Sequence, residues 1–300
     1  MGFEIFGFRA LWSPYYLSVM VLLLVLYFMI IGPWKSKFKD SSPVSTKQQI
    51  LFVSGIVALY VSKGSPVDLL GHIMFSAHMT QMAILYLIVP PLLILGIPEW
   101  LWRAILYRPI IKPVFKFFTK PILALIVFNG VFSVYHIPLV FDFVKTEPLY
   151  HALMTTIIFI AAIFMWLPLL NTLQEWDSLS GIKKMGYIFA DGVLLTPACA
   201  LIIFSPDPLY LTYSDPQAWI NALHLCVPGD MLAGLNLTGP EMFNTLPLVD
   251  DQQLGGVLMK IIQEVVYGSI LAYVFFEWAR KERLKDELEL QEDYRPEPIK

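Results

Sequence analysis

The chain has 300 residues, 57% of them hydrophobic and only 15% charged, against roughly 45–50% and about 25% in soluble chains. That apolar excess cannot be buried in a soluble core of this size, so the sequence reads as an integral membrane protein. A net charge of −3 argues against a nucleic-acid partner.

A membrane-spanning helix needs about 20 mostly apolar residues. Residues 10–34 carry no Asp, Glu, Lys or Arg, and the first span is expected at 12–34. Glu4 and Arg9 precede it without a basic cluster, and no small-residue cleavage pattern follows, so it reads as a retained span and not a signal peptide. The second span, 48–63, is the shortest, with Lys47 and Lys63 placed to snorkel. The third, 72–96, contains Pro90 and Pro91, where it is expected to kink or end. Residues 98–120, with Trp100, Trp102, Arg103, Arg108, Lys112 and Lys116, read as a segment lying on the membrane. Spans at 121–143, 149–170 and 185–205 follow, the last with Asp191 inside it. The loop at 205–254 has six acids, six prolines and no Lys or Arg. Its residues 216–225 look like a short helix on the outer surface, and a loop this long is able to cover a site or meet a partner. The seventh span, 255–278, holds Lys260 and Glu264 at i, i+4, the spacing of an ion pair. A mixed-charge tail at 280–300 reads as a solvated helix extension that frays. The runs are continuously apolar and lack a period of two, which excludes a β-barrel. The expectation is one polytopic all-α domain over 1–279, a seven-transmembrane helix bundle.

Alternate loops then hold 17 Lys and Arg on one side and 3 on the other. The positive-inside rule places the 17 in the cytoplasm, the amino terminus outside and the carboxyl terminus inside. This split also divides the net charge, with an acidic outer face and a basic inner one.

All five histidines fall on the outer side or in the outer leaflet under this topology: His72, His78, His136, His151 and His224. His78 and Met82 stack at i, i+4 on the third span, and His72 and Met79 at i, i+7 lie on an adjacent stripe. His151 and Met154 repeat the combination at i, i+3. Imidazole with thioether is a ligand set that suits copper, the cuprous ion above all. Methionine also fills irregular gaps between helices, and a lone membrane histidine also serves as an interhelical hydrogen-bonding group. Three intramembrane histidines on successive spans, in one leaflet, favour a metal or cofactor site at His78, His136 and His151. Asp251 and Gln252, opening the seventh span, are placed to support a histidine from behind or to mark the interface. Cys199 and Cys226 both fall towards the outside and permit one disulfide. Cys226, two residues after His224, is either a further ligand or a small buried thiol.

With these residues in view the chain resembles the CtaG family of cytochrome c oxidase assembly factors, in its Gram-positive branch tied to caa-type oxidase. The resemblance rests on His78-Met79-Thr80-Gln81, His136-Ile137-Pro138, and His151 followed by Trp166-Leu167-Pro168. It continues through Asp251-Gln252-Gln253-Leu254-Gly255-Gly256 and Met259. Met82 stands where many members have a second histidine. The resemblance implies a bacterial plasma-membrane protein that is not an enzyme and that helps build a haem–copper oxidase, with oxidase subunits as partners. It also implies handling or delivery of copper at an outer site. The expected ligands are His78, Met79, Met82, His136 and His151, with His72 or His224 at the entrance. Two other classes stand beside it: a haem-binding membrane cytochrome using the same histidines as axial ligands, and a membrane metal transporter, for which inverted repeats are not evident. H-E-x-x-H and G-x-S-x-G are both absent from the sequence, which weighs against an intramembrane protease.

Overall fold

The long apolar runs form helices in the computed structural model, which describes residues 2–176, 179–232 and 234–293. It is 81% helical, without strands among the described residues. The first run becomes α1 (Phe3–Ile31), broken at Ser13, whose φ is 33°. Then come α2 (Thr46–Gly64) and α3 (Pro66–Ile73), bent by 44°. Ser45 opens α2 with a capping box to Gln48, and Ser65 caps α3, whose first residue is Pro66. Such a Ser-Pro pair starts a helix without needing the missing N–H. Next is α4 (Phe75–Gly96). The short α5 (Glu99–Leu106) and α6 (Ile111–Phe118) lead at an 83° bend into α7 (Pro121–Tyr135). α8 (Pro138–Thr146), α9 (Pro148–Leu170), α10 (Gly181–Phe204), α11 (Leu211–Ser214), α12 (Pro216–Leu223) and α13 (Leu248–Asp293) complete the order.

Among the described residues five helices are long and apolar enough to cross a membrane alone, and the number rises to seven if each bent pair counts as one span. The protein is a helical membrane protein with five to seven spans. Three sequence expectations change in detail. Met74 is extended (φ −126°, ψ 137°), so the run expected to start at His72 is cut. His72 ends α3 while His78 sits on α4, and the stripe expected for His72 and Met79 on one helix does not exist. The run at 121–143 is likewise divided at His136–Pro138. At Pro90-Pro91 the helix neither ends nor breaks. It passes through a π-helical turn at Ile84–Ile88, which absorbs the register lost to the prolines. Those prolines leave the Tyr86 carbonyl without an N–H from its own helix. Trp166 of α9 fills the gap, donating from Nε1 at 3.0 Å.

The helices from α4 to α10, with α13, share one core, to which α1 adds no residue. A smaller second core lies at the end of the bundle where α3 meets α12, built from Phe6, Leu69, Ile73, Trp219, Leu223 and Val227. The short helix expected at 216–225 is present as α12 and covers this end, with Trp219 and Leu223 fully enclosed beneath it and Pro216, Gln217 and Asn221 exposed on its other face. At the opposite end Trp100 and Trp102 turn inwards, donating to the carbonyls of Ser42 (3.2 Å) and Ile94 (3.0 Å). There Arg103 donates to Glu175 at 2.9 Å and holds its carboxyl below the usual range. The tail stays helical in continuation of α13 as far as Asp293, and 294–300 lie outside the described residues.

Candidate functional site

Four of the five histidines converge at the capped end of the bundle, each carried there by a helix terminus. His72 is in the last turn of α3, His78 in the first turn of α4, His136 caps the end of α7, and His151 is near the start of α9. The ring centres of His72 and His151 are 5.6 Å apart, and those of His78 and His136 are 6.4 Å apart. The rings of Phe141, Tyr135, Tyr213 and Phe75 enclose His78, with centres 5.1, 6.1, 6.3 and 6.0 Å from its own.

The hydrogen bonds decide which nitrogens are available. His136 Nδ1 lies 2.7 Å from the Phe132 carbonyl oxygen. A carbonyl only accepts, so the proton is on Nδ1 and Nε2 bears the lone pair. That Nε2 has no partner among the described residues, and the same holds for both ring nitrogens of His78 and of His151. His72 is different. Lys145 of α8, only 1% exposed, sends its Nζ to the Gly71 carbonyl (3.1 Å) and to His72 Nδ1 (3.2 Å). Gly71 has no room for a side chain, because a Cβ there would stand 2.6 Å from Gln81 Oε1.

Loop residues press this cluster from outside. Tyr213 donates to the Gly71 carbonyl at 2.5 Å and Tyr210 to the His136 carbonyl at 2.9 Å. Asp142 accepts from the Leu211 and Thr212 amides, both at 3.0 Å, and so caps α11 from α8. The two residues expected to stand behind a histidine have other partners. Asp251 accepts from the Phe75 amide at 2.7 Å, the Ser76 amide at 3.3 Å and the Ser76 hydroxyl. It thus caps the broken start of α4, where Met74 supplies no cap. Gln252 accepts from the Leu209 amide at 2.7 Å and donates to the Ile202 carbonyl at 3.4 Å, tying the loop to α13.

The remaining expected ligands are dispersed. Met79 and Met82 are fully buried in the main core. Met79 lies against α13, its Cγ 3.1 Å from where a Cβ on Gly255 would be, and Met82 is one turn beyond His78. His224 is exposed on the cap, in a groove with Arg9, Tyr16 and Cys226. Cys199 and Cys226 are free thiols, not a disulfide. Burial pushes the Cys226 thiol above its ordinary range, which keeps it protonated and a poor ligand. Among the described residues no three His, Cys, Asp or Glu side chains form a ready metal site. Lys145, counted from sequence as an ordinary outer-loop cation, is the largest omission of sequence reasoning. Tyr135, whose buried hydroxyl is also unpartnered, is another. Its place beside His136 in the sequence was the signal available.

A family model described as cytochrome c oxidase caa3 assembly factor (Caa3_CtaG) matches residues 25–281. The chain belongs to this family. Comparison with curated proteins and with solved structures gave no match. The family description is one of assembly and implies association with cytochrome c oxidase. The family motifs expected from sequence fall on residues that shape the site. Gln81 of the α4 motif donates to the Ser62 carbonyl and to Asp68, both at 2.6 Å. Trp166 braces the π-helical turn, and Asp251 caps the helix that carries His78.

Proposed function

We propose that this protein serves caa-type oxidase assembly by holding cuprous ion at the capped end of the bundle, on the extracytoplasmic side, and passing it to an oxidase subunit. The observation that carries this reading is the set of buried, unpartnered imidazole nitrogens on His78, His136 and His151. A buried polar atom without a partner costs about 1–3 kcal/mol, and neutral imidazole suits transition-metal ions including copper, with thioether favouring the cuprous ion. The tautomer of His136 supports it, since its free Nε2 carries the lone pair. His72 Nδ1 is engaged by Lys145. The holding role therefore falls first to the pair His78 and His136, 6.4 Å apart between ring centres, with the Met82 thioether one turn below His78 and with His151, whose ring neighbour is His72, as a further ligand. Met79 and His224 are placed in supporting positions at most: Met79 faces α13 and His224 the exterior. Extracytoplasmic placement rests on the 17-to-3 division of cations and on the acidic loop at this end.

Copper analysis of wild type beside His78→Ala, His136→Ala and His151→Ala, with oxidase activity read in the same cells, tests the proposal. Substoichiometric copper in wild type, lost together with oxidase in the variants, is the expected result. Normal oxidase in all three variants overturns the site. Lost oxidase with no copper in wild type retains assembly and removes metal handling, and a Soret band in the purified protein transfers the histidines to haem.

A further inference from the structure

α10 and α13 pack side by side, and between them runs a groove of about 220 Å³ lined by Gly192, Val193, Thr196, Lys260, Gln263 and Glu264. It lies deep in the membrane-spanning part. Thr196 is 15 residues after Gly181 and eight before Phe204, about 22 and 12 Å from the two ends of α10 at 1.5 Å per residue. Lys260 donates to Thr196 at 3.1 Å and so shares its depth.

Three features make this groove unlike an ordinary lipid-facing surface. Lys260 and Glu264 form an ion pair at 2.8 Å, yet the Glu264 side chain is 64% exposed, towards what would be hydrocarbon. Charged groups at that depth almost always face protein or water. Gln263 is 1% exposed and its Oε1 accepts from Lys260, but its Nε2 has no partner among the described residues. That Nε2 is enclosed against α10, 3.2 Å from where a Cβ on Gly192 would stand, beneath the floor of the groove. Gly192 and Thr196 on one side, and Gly268 with open space above it, allow another helix to approach closely.

The groove therefore asks for a donor opposite the exposed Glu264 carboxylate. A side-chain carboxamide offers one. We propose that the groove seats a transmembrane helix of the oxidase undergoing assembly, presenting an Asn or Gln at this depth; this rests on the assembly role set out above. A second copy is a poor occupant. Two copies related by an axis along the membrane normal would set Lys260 against Lys260 and Glu264 against Glu264 at equal depth. Acyl chains provide no donor, and an oxidised quinone provides acceptors only.

The test is a photoreactive side chain placed at Val193, in the groove, or at Leu22, an exposed residue of α1. Each is made in the full-length protein in cells producing the caa-type oxidase. Val193 is expected to crosslink to an oxidase subunit and Leu22 is not. Glu264→Leu is expected to lower the Val193 adduct at least tenfold at equal membrane abundance. The Val193 probe reads the unaltered groove residues, so the result does not hang on how that variant folds. Adducts only with a second copy, only with lipid or quinone, or with nothing, in cells whose oxidase still depends on the protein, overturn the groove and leave the assembly role standing. Full oxidase activity in cells lacking the protein overturns the assembly role and the groove with it.

Discussion

Two buried polar centres lie in this bundle, and they are built in opposite ways. In the inner one, Asp191 of α10 is 1% exposed and both its carboxylate oxygens are used. One accepts from Asn129 of α7 at 2.5 Å and the other from the Tyr267 hydroxyl of α13. Tyr187 on the same helix reaches the Met165 carbonyl of α9 at 2.8 Å. Four helices are clamped together by groups that engage one another, with only the Asn129 Oδ1 of this set left without a partner among the described residues. At the capped end, the imidazoles of His78 and His136 are as deeply enclosed and that of His151 is partly so, but their ring nitrogens, His136 Nδ1 apart, are left over among the described residues. A carboxylate with both oxygens engaged has its reason for burial inside the chain. Under the proposed function, the enclosed imidazoles have theirs in an ion that arrives from outside.

Substitutions separate the two kinds of centre, most sharply at Asp191. Asp191→Leu strands the Asn129 amide and the Tyr267 hydroxyl, and is expected to cost about 3 kcal/mol or more. The measurement is thermal aggregation of the purified protein in detergent, and a midpoint equal to wild type would remove the clamp. Asp251→Ala uncaps α4 and is expected to cost about 1–2 kcal/mol by the same assay, with Asp251→Asn retaining most of it. Oxidase activity should fall alongside, because the cap positions His78. Tyr213→Phe removes one neutral hydrogen bond, worth about 1 kcal/mol. It is expected to show as faster proteolytic nicking in the loop at 205–254, with unchanged cleavage elsewhere. The smallest stability change is expected for His78→Phe, which swaps an unpartnered ring for an apolar one of similar shape. Its midpoint should equal or exceed wild type while oxidase assembly is lost. A destabilised His78→Phe would put the histidine in the same class as Asp191 and erase the distinction.

The spans were legible because hydrophobic burial is written residue by residue, and 48–63, 149–170 and 185–205 sit close to the helices found. The Lys260–Glu264 pair was legible for the same local reason. The breaks were not. Nothing around Met74 marks an extended residue; it is held so by Asp251, 177 positions away in the chain, whose carboxylate takes the amides that the break exposes. Charge counting placed Lys145 among the outer-loop cations and said nothing of its burial. That burial depends on the Gly71 carbonyl and His72 of α3, on the face of Tyr213 of α11, and on that of Phe141 in its own helix, so two of the three elements are remote in the chain. The gathering of histidines at one end followed from topology, but their pairing required the two helix breaks that bring His72 towards His151 and His136 towards His78.

The length of α13 has a mechanical meaning. Its 46 residues make a rod of about 69 Å, more than twice the roughly 30 Å of a bilayer core. Asp251 near one end holds the start of α4, Gln263 three turns on packs against α10 at Gly192, and the far end stands clear of the bundle. A helix is stiff over such distances, so a tilt imposed at any one of these places swings the others. The tail then acts as a lever arm, with the amides that hold His78 in position at its short end.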